Sequence, residues 1–119
     1  MLLETQYDKR KHFRADARFV VSYGRVQHDS IVDRDISQTK NISETGAAFT
    51  TSRPFEAKTN LMLQIKLPVV QESVQVFGTV LESREIRPHL VYYTRVTFSE
   101  IEAQKRQAIQ QIVSHYTRK

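Results

Sequence analysis

Residues 61–80, LMLQIKLPVVQESVQVFGTV, hold two runs of alternating apolar and polar side chains with a polar break between them. In the first run Leu61, Leu63, Ile65 and Leu67 share one face, and Met62, Gln64 and Lys66 share the other. A period of two over seven residues marks a strand with one face buried. Pro68 has no N–H to give a ladder and ends the run. Gln71-Glu72-Ser73 supplies a hairpin turn, and Val74, Val76, Gly78 and Val80 alternate again. A glycine inside such a strand points to a bulge or a tight bend, as where a sheet curls into a barrel.

The flanking sequence repeats the pattern. Downstream, Leu90, Tyr92, Thr94, Val96 and Phe98 form a further strand after Pro88. The period then changes. Ser99 with Glu102 has the spacing of a capping box, and Ile101, Ala108, Ile109, Ile112, Val113 and Tyr116 recur at helical spacing. This predicts one amphipathic helix over 99–116, with the basic Arg118-Lys119 beyond its negative pole. Upstream, Phe19, Val21 and Tyr23 alternate as a strand, a second strand covers about Ile31 to Ile42, and Gly46 opens a short third. Arg53-Pro54-Phe55-Glu56 connects it to the hairpin. About six consecutive strands without interleaved helices argue against a parallel βαβ sheet. The expected fold is mainly β: a small six-stranded antiparallel β-barrel over 17–98, which closes its own edges, capped by the C-terminal helix. Residues 1–119 read as a single domain, with 1–16 as a basic N-terminal arm.

Composition narrows the chemistry. At 119 residues the chain suits one core, and 39% hydrophobic with 26% charged residues is a globular balance. The absence of cysteine excludes disulfides, thiol catalysis and thiolate metal sites. No apolar run is long enough to span a membrane and the N-terminus has no signal-peptide core, so the expected location is cytoplasmic. The net charge of +5 is concentrated. Lys9, Arg10, Lys11, Arg14 and Arg18 fall close together, which points to an anionic partner.

Catalytic motifs are missing: there is no G-x-S-x-G, no P-loop and no G-x-G-x-x-G. His12, His28, His89 and His115 lack metal-site spacing and read as exposed or rim histidines. Asp33 and Asp35 could share a strand face and bind a hard cation, although a solvated face explains them better. Nothing assembles a nucleophile, a base and an orienter, so no enzyme and no cofactor is expected.

Two short motifs remain. Arg10 and Arg14 in RKHFR are four apart, so in a helix or compact turn both guanidiniums converge on one anion or base. Arginine's planar fork bonds phosphate, or the O6/N7 edge of guanine, in bidentate fashion. The second motif is NISETG. Asn41 and Ser43 are two apart and on an extended chain point to one side, offering an amide and a hydroxyl. Gly46 permits a positive φ or close backbone approach to a ligand. An Asx/Ser turn that needs no ligand accounts for the same residues. The triplet also has a near copy, Asp35-Ile36-Ser37, six residues earlier, with Lys40 where a glycine would stand.

R-x-x-x-R followed after a strand by [DN]-x-S-x-x-G is the signature of the PilZ domain family, which this chain resembles at Arg10, Arg14, Asn41, Ser43 and Gly46. The resemblance extends to the basic start, the strands, Gly78, Tyr93-Thr94-Arg95-Val96-Thr97-Phe98 and the last helix. Many relatives have a glycine near the start of the final strand, where this chain has Thr94 or Arg95. The resemblance implies a six-stranded barrel that binds cyclic di-GMP (c-di-GMP), a bacterial second messenger. Arg10 and Arg14 would then wrap the ligand, Asn41 and Ser43 would face it, Gly46 would shape the turn and Lys9 would add charge. Binding would order the arm and signal to an effector protein in motility, adhesion or exopolysaccharide control. The expected assembly is a monomer or a homodimer.

Two other functions fit the fold. One is a protein–protein adaptor that works without nucleotide. The other is a single-strand nucleic-acid binder, which needs an aromatic platform. Phe19, Tyr23, Phe77 and Phe98 sit at alternating positions that suit a core instead, so no nucleic-acid polymer is expected as partner.

Overall fold

The structure is a computed structural model and describes residues 18–67, 73–99 and 101–117, without the side chains of 112 and 115–117. Among the described residues six strands precede one helix: β1 Val20–Gln27, β2 Ser30–Ile42, β3 Gly46–Thr51, β4 Asn60–Lys66, β5 Ser73–Arg87, β6 Val91–Phe98 and α1 Ala103–Thr117. The strands close into a barrel in the order β1-β2-β3-β6-β5-β4. Every pairing is antiparallel, including the β1–β4 closure. The expected six-stranded antiparallel barrel with a C-terminal helix is the fold observed.

The inward faces follow from the alternation. Leu61, Leu63 and Ile65 of β4 and Val74, Val76 and Val80 of β5 are all buried in one core. Phe49 of β3 and Val21 of β1 lie there too. Tyr23 stands edge-on to Phe55 at 6.1 Å and tilted to Phe49 at 5.3 Å. Each such side chain contributes about 1.5–3 kcal/mol by leaving water. Helix α1 adds Ile109 and Val113 to the same core, four residues apart on one face.

Several expectations need correction. Phe77 is 46% exposed, because Val76 and its period-two partners take the inward side. The ladder runs regularly through Gly78, which pairs with Leu61 and Phe98; the β5 irregularities fall at Val80/Glu82 and Glu85/Arg87. Strand β5 continues to Arg87, beyond the expected Val80. Leu90 lies in the turn before β6 and is exposed. The helix starts four residues later than expected. Ser99 still serves the sheet, donating its N–H to the Phe77 carbonyl, and the Glu102 carbonyl accepts from Arg106 N–H at the helix start. The Ser99/Glu102 capping box is therefore not formed. Pro68, Gln71 and Glu72 lie outside the described residues.

Candidate functional site

Strand β2 holds the second motif at its end. Thr39 pairs with Phe49, but the next pair is Asn41 with Ala48, which leaves Lys40 as an extra residue. Thr39 and Ile42 are both fully buried. Strict alternation would put one of them outside. The bulge at Lys40 restores the inward side for Ile42 and turns two successive side chains, Lys40 and Asn41, to the outer face. Thr39 pins the inside of this kink, its hydroxyl accepting from Phe19 N–H at 2.9 Å.

Outside, Asn41 Nδ2 donates to the Tyr93 hydroxyl of β6 at 3.4 Å. The guanidinium of Arg84 on β5 lies 5.2 Å from the Tyr93 ring centre, within cation–π range. Arg95 pairs across the ladder with Ala48, which in turn pairs with Asn41. Its Nε is 2.8 Å from Glu82 Oε2, an ion pair by distance, yet this N–H has no aligned hydrogen-bond acceptor. The outer face next to Asn41 thus carries Lys40 on one side and Arg84 and Arg95 on the other. Tyr93 and Arg84 were not legible as neighbours of Asn41, because only the cross-strand register brings them together.

The turn after Asn41 is tightly built. Ser43 lies past the last residue of β2 and is buried, so it does not stand beside Asn41 as on an extended chain. Its hydroxyl receives the Thr45 N–H at 3.2 Å and lies 3.1 Å from the Thr45 hydroxyl. Its N–H donates to the Gly46 carbonyl at 2.9 Å, closing the turn. The Thr45 carbonyl accepts from Phe98 N–H at 2.8 Å, and Gln110 of α1 donates to Glu44 at 2.9 Å. Gly46 has no positive φ. Its requirement is space: an added Cβ would stand 2.4 Å from the Val96 carbonyl oxygen. The close backbone is the neighbouring strand rather than a ligand.

The near copy of the motif faces the other way. Asp35 and Ser37 pair with Tyr23 and Val21, the core-facing residues of β1, and so sit on the inward side of β2 where the barrel opens. Ser37 bonds the Thr50 hydroxyl at 2.9 Å, and Asp35 accepts from Ser52 Oγ at 2.8 Å. The bulge thus sets Asp35 and Asn41, the first residues of the two triplets, on opposite sides of β2. Asp33 is likewise engaged, by Arg25 at 3.0 Å and Arg53 at 3.2 Å. Among the described residues there is no cluster that could hold a metal ion.

Asp35 also gives a pH handle. Hydrogen bonds from Ile36 N–H and Ser52 hold its carboxyl below the ordinary 3.8. A depressed folded value means that this stabilisation is present above 3.8 and is lost as pH falls through the folded value. Substituting Ser52→Ala should raise the Asp35 titration midpoint toward 3.8 when followed by NMR. An unmoved midpoint would show that Ser52 does not hold the carboxylate. Burial acts oppositely on Tyr23, pushing its phenol above 10.0, so its neutral form favours the fold and stability declines as pH rises past 10.0.

Lys9, Arg10 and Arg14 lie outside the described residues. Of the remaining expected site residues, Asn41 is presented on the outer face, while Ser43 and Gly46 build the turn that holds it.

The PilZ domain pattern matches residues 8–115. The inhibitor of motility from Bacillus subtilis (MotI/DgrA) is 22% identical, with a TM-score of 0.75 over 92% of this chain and 51% of that one. The PilZ domain of YcgR from Escherichia coli, solved with c-di-GMP, is 12% identical, with a TM-score of 0.67 over 93% of each chain. A complex of MrkH from K. pneumonia with c-di-GMP is 17% identical, with a TM-score of 0.63 over 89% of this chain and 51% of that one. At these identities the likeness is one of fold. The chain spans about half the length of MotI/DgrA and MrkH. No curated protein sequence matches it significantly. No helix among the described residues is long and apolar enough to cross a membrane.

Proposed function

We propose, from the premise that this chain belongs to the PilZ domain family, that it is a receptor for c-di-GMP on the outer face of the barrel at Asn41. The observation that carries this reading is the bulge at Lys40, which turns the motif's asparagine outward among cationic side chains. The Asn41 amide offers a donor and an acceptor to a guanine edge or a phosphate oxygen. Arg10 and Arg14 close over the ligand, their guanidiniums meeting its phosphodiesters and guanine Hoogsteen edges, and Lys9 adds charge. Ser43 and Gly46 act through the turn that fixes Asn41.

The consequence is a switch without a reaction. Ligand binding orders the arginine arm against the barrel, and the new surface engages or releases an effector protein in the cytoplasm. The shift is driven only by the ligand's higher affinity for the closed arm.

Calorimetric titration with c-di-GMP, beside a GTP control, tests the reading. The native chain should bind at micromolar ligand in moderate salt. Asn41→Ala should weaken binding about tenfold, the loss of one or two hydrogen bonds to a polar ligand. A folded native chain that takes up no c-di-GMP overturns the proposal.

A nucleotide-independent adaptor is the second reading, favoured by the exposed Leu81, Ile86 and Leu90 along the β5–β6 arm. Effector capture that is identical with and without c-di-GMP would support it.

A further inference from the structure

Beside Asn41 the outer face carries a groove of about 490 Å³. It runs from the start of β1 across β2 to Thr50 of β3, lined by Arg18, Val20, Ile36, Gln38 and Lys40, with Ser37 at its edge where it bonds Thr50. The register explains its walls. Phe19 and Val21 are buried, so Val20 points outward. Its cross-strand partner Gln38 therefore points outward too, as does Ile36 opposite Ser22. Val20 is 47% and Ile36 69% exposed. Two branched aliphatic side chains stand on a solvent face that they do nothing to bury.

The charges are equally uneconomical in isolation. Arg18 and Lys40 both line this groove, just beyond the Val20–Gln38 pair that ends the β1–β2 ladder. Two like charges held in one groove repel. Both residues are exposed, and among the described residues neither has a carboxylate partner. An anion between them would turn this repulsion into attraction. A flat apolar surface on Val20 and Ile36 would complete the seat, and Gln38 adds an amide at its edge.

We propose that this groove seats one nucleotide half of the cyclic dinucleotide. A phosphodiester lies between Arg18 and Lys40, and the purine face rests on Val20 and Ile36. The other half extends toward Asn41, the neighbour of Lys40. The assignment rests on the receptor reading and adds to it the residues that seat the ligand. It also gives Lys40 a function where the near copy of the motif lacks its glycine: as the bulge residue, it carries its charge to the ligand face.

Methyl NMR and calorimetry on the full chain test this with c-di-GMP and GTP as probes. The methyl signals of Val20 and Ile36 should move saturably with c-di-GMP. Arg18→Ala and Lys40→Gln should each weaken binding by about three- to tenfold, as expected for one charged hydrogen-bonded contact, and Ile36→Ser by a similar factor. Raising salt should weaken the native chain more than the Arg18→Ala/Lys40→Gln variant, since exposed charges are screened. All these side chains are exposed, so the variants should keep the native thermal transition. Suppose the native chain binds and Asn41→Ala weakens it, while the groove variants bind within about twofold of native and the methyl signals stay still. The ligand then lies elsewhere, and the groove assignment fails with the receptor reading intact. A native chain that does not bind sinks both. Equal binding of GTP with the same methyl shifts makes the groove a general phosphate site and overturns the cyclic dinucleotide assignment.

Discussion

Replacing Arg10 and Arg14 together with alanine is expected to weaken c-di-GMP binding by at least about a hundredfold, while the thermal transition of the barrel stays near native. Hydrogen bonds to charged groups contribute about 1.5–3 kcal/mol each, and the two guanidiniums carry the most strongly charged contacts in the proposed site. The double Arg10→Lys/Arg14→Lys variant separates charge from shape. It keeps both positive charges but loses the planar fork that meets phosphate and guanine in bidentate fashion. Its affinity should fall between native and the alanine variant. An affinity equal to native would reduce the arm to a source of charge. Unchanged binding by the alanine variant would remove the arm from the site altogether. Lys9→Ala should cost only about threefold, because an ammonium makes no paired contact with the ligand.

Legibility differed sharply along the chain, and the differences have physical causes. Strand β4 could be read because Leu61, Leu63 and Ile65 all face the core and both of its neighbours are long strands. The last half of β5 could not. Past Val80 it runs out as an arm with β6, and Glu85, Ile86 and Arg87 are all exposed, so no side imposes a period. The start of α1 was placed early because Ser99 and Glu102 fit a cap, while the sheet claims the Ser99 N–H for Phe77.

The bulge at Lys40 was hidden for a different reason. The inward positions of β2 before Ile42 are Asp35, Ser37 and Thr39, all polar. A polar residue inside the barrel removes the contrast that makes alternation visible. Thr39 tolerates full burial because its hydroxyl accepts a backbone N–H. The motif could thus be recognised by residue type, but which of its side chains faces outward depends on a one-residue insertion in the ladder. That insertion assigns Asn41 to the surface and leaves Ser43 to the turn.

Gly46 provides the sharpest test of that division of labour. Substituting Gly46→Ala should destabilise the protein by about 1–3 kcal/mol, the usual range for forcing an extra carbon into a close-packed position. The melting temperature should drop by roughly 5–15 °C for a chain of this size. The new Cβ would stand 2.4 Å from the Val96 carbonyl oxygen and 3.3 Å from the Thr97 Cα. Both obstacles are backbone, held by the ladder that pairs Ala47 with Val96, so neither can rotate away. Gly78→Ala makes the control. There the closest atoms are the Thr97 carbonyl at 3.2 Å and the Val96 side chain at 3.4 Å, contacts that small adjustments relieve. Its cost should stay near or below about 1 kcal/mol. Relief at Gly46 requires β3 to part from β6, which also loosens the Thr45 carbonyl from Phe98 N–H and the turn that orients Asn41. Gly46→Ala should therefore weaken c-di-GMP binding even at temperatures where the variant is fully folded. A variant with native stability and lost binding would instead mean that the glycine leaves room for the ligand itself.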